Sequence, residues 1–467
     1  MSFSVIEIAE MAVRLARDHG AEYADARAEQ INRTSLRFVD GRFEQTVDGI
    51  EKGIGLRSLC SGAWGFACTT SFALEDLKEV ALKAVKVAKA NSVNLREKVV
   101  LSPVVTSEEV VETPCKEPLT EVPIDRKIDV VQGIYESAKA YSPKLVSITS
   151  IYGDLCGERA IATSEGTRLL LKPSRTLVGV NAVAKEGEKI TFGFEREGAL
   201  EGFEFYSRLE TRGMAEKAAK KAVEMLKAKP SPSGRFTVVV DPKLGGVFAH
   251  EAVGHSCEGD YVMTGYSILH DKLGKRVGSE HVTIYDDSTY PNGWGSEKYD
   301  AEGVLTKKRL LIDQGIMKNF ILSREAASKV GLPPNGGSRA QSYAFRPIVR
   351  MSNTYIAPGS LSLEEVLEGI ENGVYVKGSM GGQVDPAKGT FQFAAEEAYL
   401  IERGQVTTPL LNVSLSGLTL ETLLNIDAVG KDFGFNIGSC GKDDQSVPAG
   451  DGGPHLRIRN VVVGGKA

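Results

Sequence analysis

The stretch HEAVGH, His250 to His255, places two imidazoles around one carboxylate, Glu251. Metal-dependent hydrolysis needs neutral imidazole ligands, an open coordination position for water and a nearby base. The side chains are of those types, but their spacing is unusual. In H-E-x-x-H the histidines stand four residues apart and share one helix face. Here the second comes one position later, which separates the two by roughly 140° on a regular helix of ~3.6 residues per turn. His250 and His255 can meet at one ion if the helix contains a π-type turn, or if it ends at Gly254 and the chain swings His255 back. Otherwise they are ordinary helix histidines beside a solvated glutamate. Spacing leaves the third ligand open among Cys257, His270, His281, Asp260, Cys440 and His455. Cys257 is near in sequence, yet a lone cysteine is more often a small apolar core residue. Cys440 lies in NIGSCGKDDQ, which reads as a polar loop between glycines and an uncommon setting for a core cysteine.

A strand and a helix must hold this motif. FTVVVDP reads as a buried strand, and KLGGVFAHEAVGH as the helix that follows it. Just before them, KPSPSGRF shifts to proline, serine and glycine, as domain boundaries do. The expected division is an N-terminal α+β domain over 1–229 and a C-terminal domain over 230–467 that carries the motif near its start. Upstream, Val5, Ile8, Met11, Ala12 and Leu15 form one face of a helix that stops near Gly20. SLRFVDGRFEQTV carries a D-G turn between two short alternating runs, the signal of a hairpin. LEDLKEVALKAVKVAKA, DRKIDVVQGIYESAKAY and TRGMAEKAAKKAVEMLKA are helical, and residues 94–124 read as a linker or an extended edge segment. Between the last two helices a chain of short strands suggests an antiparallel meander. The fold class expected is α+β, with largely antiparallel sheets and flanking helices in both domains.

Composition narrows the function classes. The 467 residues suffice for two or three domains. The 56 basic and 61 acidic side chains leave a net charge of -5, which gives no general attraction for phosphate backbones. With no helix-turn-helix, zinc finger or basic-aromatic stripe either, no nucleic-acid partner is expected. The opening MSFSVIEIAEMAVRLARDHG is an amphipathic helix and not a signal peptide. No stretch approaches the ~18 uninterrupted apolar residues of a membrane span, so no membrane partner is expected. Six scattered cysteines without a C-x-x-C pair read as reduced thiols of a cytoplasmic protein.

The sequence resembles the TldD branch of the TldD/PmbA family of metalloproteases, once called modulators of DNA gyrase. FAHEAVGHSCEGD, RMSNTYIAPG, GGQVDPAKGTFQFAAEEAYLIERG and CGKDDQSVPAGDGGPHLRIRNVVVGG carry the resemblance across most of residues 235–465. GAEYADAR carries it more weakly in the N-terminal half. The resemblance implies a metal held by His250, His255 and Cys440, with Glu251 as general base. It also implies action on unfolded or flexible peptides. A sister branch, TldE or PmbA, lacks the metal motif and pairs with the active subunit. This chain keeps the motif, so a heterodimer with such a paralogue or a homodimer is expected.

Two imidazoles and a thiolate suit zinc better than magnesium or calcium, which prefer oxygen. Glu258 and Asp260 are candidates to hydrogen-bond a ligand histidine and fix its tautomer. The GSMGGQVD segment, residues 378–385, offers bare backbone to which an extended peptide could add as a strand. Two competing readings remain at this stage: a non-catalytic modulator or scaffold subunit binding a protein partner, and a cysteine hydrolase using Cys257 with His255.

Overall fold

The computed structural model describes residues 3–464. Helix α1, Val5–Asp18, buries Val5, Ile8, Ala12 and Val13, with Met11 and Leu15 packed at the margin of that core. Its first turn is closed by Ser4, whose backbone N–H donates to Glu7 at 2.8 Å. The predicted hairpin is present but much longer than two short runs. Strands β1, Tyr23–Val39, and β2, Arg42–Cys60, turn at Asp40 and Gly41, both with positive φ, as a two-residue D-G turn requires. β1 is hydrogen-bonded along nearly its whole length on both sides, to β2 and to β5, Leu145–Thr163. These distant partners keep the chain extended past the point where local alternation fades.

Strand β3, Ala63–Thr69, closes one edge of the sheet, and helix α2, Leu74–Ser92, packs with α1 in one core. The acidic, proline-containing segment contributes β4, Glu108–Glu112, an edge strand parallel to β6, Arg168–Lys172. Helix α3, Ile124–Lys139, and the helix Thr211–Met225 cover the far end of the sheet. The meander is completed by β7, Ser174–Glu186, and β8, Lys189–Ala199. β5 is shared, pairing with β6 through Arg159–Ala162 and with β7 through Leu145–Cys156. All eight strands of this sheet therefore lie within residues 23–199.

The rest of the chain builds a ten-stranded and a six-stranded sheet around a second large core. Strand Gly234–Val240 is buried at its end and sits between Asn372–Lys377, parallel, and Leu456–Gly464, antiparallel. It delivers the chain directly into the helix Pro242–Phe248, whose N-cap Asp241 accepts from the Leu244 N–H at 2.9 Å. The six-stranded sheet ends in the edge strand Gly434–Lys442, held by Gln445–Gly453. The two halves are joined by buried ion pairs, among them that of Arg57, held within its own half by Asp25 at 2.8 Å, with Glu302 of the other half at 2.9 Å. The fold is α+β, as expected, with mixed sheets and few helices. Among the described residues no helix is long and apolar enough to cross a membrane.

Candidate active site

Helix Pro242–Phe248 does not stop before the motif. It widens into a π turn over Ala249–Gly254, with the His255 N–H donating to the His250 carbonyl, and tightens again over His255–Cys257. One residue is thus absorbed in the wide turn, and two histidines five apart reach the same side. Their rings stand 5.4 Å apart, nearly perpendicular.

Of the two geometries the sequence left open, the π turn is the one present, and Gly254 lies within it without ending the helix. It keeps right-handed helical angles, φ -55° and ψ -52°, so no chain end or left-handed turn occurs there. What requires glycine is space, because an added Cβ would lie 1.9 Å from Sδ of the fully buried Met351. Gly254→Ala is therefore expected to destabilise the fold by about 1–3 kcal/mol, the usual cost of overpacking. Chemical denaturation checks this, and Met351→Ala in the same chain should recover part of the loss.

His250, His255 and Cys440 present ligand atoms within 4.8 Å of one another, and all three residues are buried. Cys440 is on the edge strand Gly434–Lys442, opposite Val447, and not in a loop. The loop signal belongs to the Asp443–Asp444 turn just after it, where both residues have positive φ. Its Sγ lies 3.7 Å from His255 Nε2. The other candidate ligands are elsewhere. Cys257 is buried in the apolar core, which pushes its thiol pKa up. His270 contacts the Ser267 carbonyl, and His455 lies between Asp432 and Tyr375. His281 is exposed, and Asp260 is engaged by Lys442 at 2.7 Å.

A second layer orients these groups. His255 Nδ1 lies 3.0 Å from Glu258 Oε2, which leaves Nε2 facing the thiol. Glu258 is itself bound by Lys442 at 3.1 Å and approached by Arg350 at 3.9 Å, all three being buried. Burial would raise the Glu258 pKa, but Lys442 and His255 outweigh it and hold the group ionised. Burial likewise opposes charge on Cys440, yet His250 and His255 pull its thiol pKa well below the ordinary value. In return, Cys440 and Glu251 overcome burial at His250 and raise it to about 9. The sequence offers Glu258 and Asp260 for the contact to a ligand histidine; Glu258 makes it, and Asp260 binds Lys442 instead. Lys442 had a signal, since it follows Cys440 by two residues and so shares its face of the strand. Arg350 had none, because it reaches the site from a separate segment to donate to the Cys440 carbonyl.

His250 and Glu251 line a cleft of about 440 Å³ between the two halves of the molecule. Glu251 is partly exposed there, its Oε2 3.7 Å from His255 Nε2. Asp451 also faces the cleft, and burial pushes it up to about 6 against the pull of His250. One wall is the edge strand, Phe435 to Ser439, and the opposite wall is β8. Ser379, Gly381 and Gly382 of the glycine-rich segment complete it, with Gly382–Asp385 forming a second strand edge.

Solved structures share this architecture. TldE from Thermococcus kodakarensis superposes with a TM-score of 0.79 at 20% identity, covering 98% of this chain and 100% of that one. A putative modulator of DNA gyrase from Thermotoga maritima gives 0.79 at 23% identity, covering 99% and 100%. At such identities the likeness establishes the fold. Sequence comparison goes further. The profiles described as PmbA/TldA metallopeptidase domain 1, central domain and C-terminal domain match residues 24–88, 117–226 and 233–465. A protein named metalloprotease from Methanothermobacter thermautotrophicus is 44% identical over 95% of this chain and 96% of its own. A zinc metalloprotease TldD homolog from Saccharolobus solfataricus is 29% identical over 97% and 99%. The chain belongs to the PmbA/TldD family of metallopeptidases, as its C-terminal motifs suggested.

Proposed function

We propose that the chain is a zinc-dependent peptidase that hydrolyses unfolded or flexible peptides, with His250, His255 and Cys440 as metal ligands and Glu251 as general base. The observation that carries this reading is the convergence of those three buried ligand atoms beside an open cleft that His250 and Glu251 line. The donor set fits the ion: two imidazoles and one easily ionised thiol are zinc ligands, and His250 Nδ1 is buried without a hydrogen-bond partner. Zinc held there would supply Lewis acidity, polarising the scissile carbonyl and acidifying water.

The remaining chemistry belongs to the chain. Glu251, adjacent to a ligand but turned to the cleft, takes a proton from the attacking water and passes it to the leaving amine. Glu258 fixes the tautomer of His255. Two strand edges line the cleft and offer unpaired main-chain groups, which favours an extended peptide read through its backbone with weak sequence preference. Assembly as a dimer, with a metal-free TldE/PmbA-like paralogue or with a second copy, is part of this proposal. The exposed apolar residues Phe43, Val47 and Ile50 near the tip of the β1–β2 hairpin support it. The cysteine hydrolase gains no support, since Cys257 is fully buried. Six unpaired thiols suit a cytoplasmic location, and two domains divided near 229/230 suit a first sheet that ends at Ala199 and a second whose first strand is Lys229–Pro230.

The test is turnover of an unfolded peptide before and after chelation. Activity should vanish with the chelator and return with zinc. Undiminished turnover in the chelated protein would overturn the proposal.

A further inference from the structure

Arg196 on β8 stands out among the charged groups of the cleft. Glu195 is paired with Lys221 and Lys243, and Glu396 with Lys221. Arg196 has no ion-pair partner among the described residues: its guanidinium lies over the Phe194 ring, 5.1 Å from the centroid, its Nε is buried without a hydrogen bond, and burial lowers its pKa. A partly desolvated guanidinium facing a cleft is an unfilled anion site, with a planar fork that matches a carboxylate.

A second observation comes from the space beside it. A chamber of about 570 Å³ adjoins the cleft, the two sharing Phe194, Arg196, Ser379 and Glu396. Its walls include Ile151, Val180, Phe192 and Met380, and the last two are large apolar side chains left 43% and 51% exposed. Apolar surface in a concavity next to an unpaired cation calls for a ligand with both characters.

We propose that this corner receives the C-terminus of the peptide substrate, with the terminal carboxylate on Arg196 and an apolar terminal side chain in the adjoining chamber. The inference rests on the peptidase reading and gives it a direction: the enzyme shortens flexible peptides from a free, apolar C-terminal end. Arg196 is then a specificity residue and takes no part in bond cleavage.

Binding separates this claim from the peptidase reading. The probe is an N-terminally labelled peptide ending in phenylalanine, as free acid or as C-terminal amide, titrated by anisotropy onto zinc-loaded Glu251→Gln protein. The free acid should bind roughly tenfold or more tighter, the scale of a charge-assisted pair. Adding Arg196→Met should bring that ratio to about one, and replacing the terminal phenylalanine by serine should weaken the acid. Equal binding of acid and amide to the Arg196 protein would overturn the inference. So would an amide with an internal glutamate that binds as well as the free acid, since the carboxylate read would then be a side chain. With active enzyme, mass spectrometry should show the free acid losing residues from its C-terminal end, and internal cleavage of acid and amide alike would count against it. If the acid preference holds but no peptide is ever cleaved, the peptidase reading fails while the site stands.

Discussion

Glu251→Gln is expected to lower kcat by about 10²–10⁴-fold, the usual contribution of a positioned general base. Glutamine matches glutamate in size and keeps the π turn and the neighbouring histidine contacts, but it cannot accept the proton. Glu251 is only partly buried, and it makes an ion-pair contact with His255 at 3.7 Å. Removing its charge therefore leaves no buried ion without a partner. Fold and zinc content should stay at wild-type levels while turnover of an unfolded peptide falls. Steady-state kinetics beside metal analysis of the same preparation checks both halves. Wild-type turnover in this variant would remove Glu251 from the reaction.

Glu258→Ala should damage the protein in a different way. Glu258 is fully buried and serves three groups: His255 Nδ1 at 3.0 Å, Lys442 at 3.1 Å and Arg350 at 3.9 Å. Lys442 keeps Asp260, but Arg350, with no exposed side-chain surface, loses its carboxylate. Truncating one partner of a buried pair typically costs about 3–5 kcal/mol. The histidine also loses the contact that sets its tautomer, which commonly lowers metal affinity by about 10–100-fold. Denaturant unfolding should show the first effect, and zinc competition with a chromophoric chelator the second. Loss of stability with unchanged zinc affinity would make Glu258 a structural residue only.

Much of the site can be read in the chain because its parts are local. Two histidines five apart can share an ion on a continuous helix only through a wide turn, and that turn is present at Ala249–Gly254. The reason for Gly254 could not be read this way, because Met351, which fills the space of its missing side chain, lies far along the chain. Cys440 looked like a loop residue since glycines and a D-D turn surround it. Only the partner strand, with Val447 opposite, makes it part of a sheet. The same limit applies to β1, whose length is set by pairing with β2 and β5 beyond its own alternation. Arg196 was silent for a related reason. An arginine in a strand is ordinary until three dimensions show that its buried Nε has no hydrogen-bond partner.

The central claim is that Cys440 joins the two motif histidines around one zinc ion. It is tested most directly by the metal content of purified protein, wild type beside Cys440→Ala. Cys440 is 1% exposed, and alanine removes only a thiol from a strand that its neighbours hold in place. The wild type should carry about one zinc per chain, and the variant, with two ligands left, should lose most of it on dialysis while remaining folded. Stoichiometric zinc in the dialysed variant would contradict the ligand assignment.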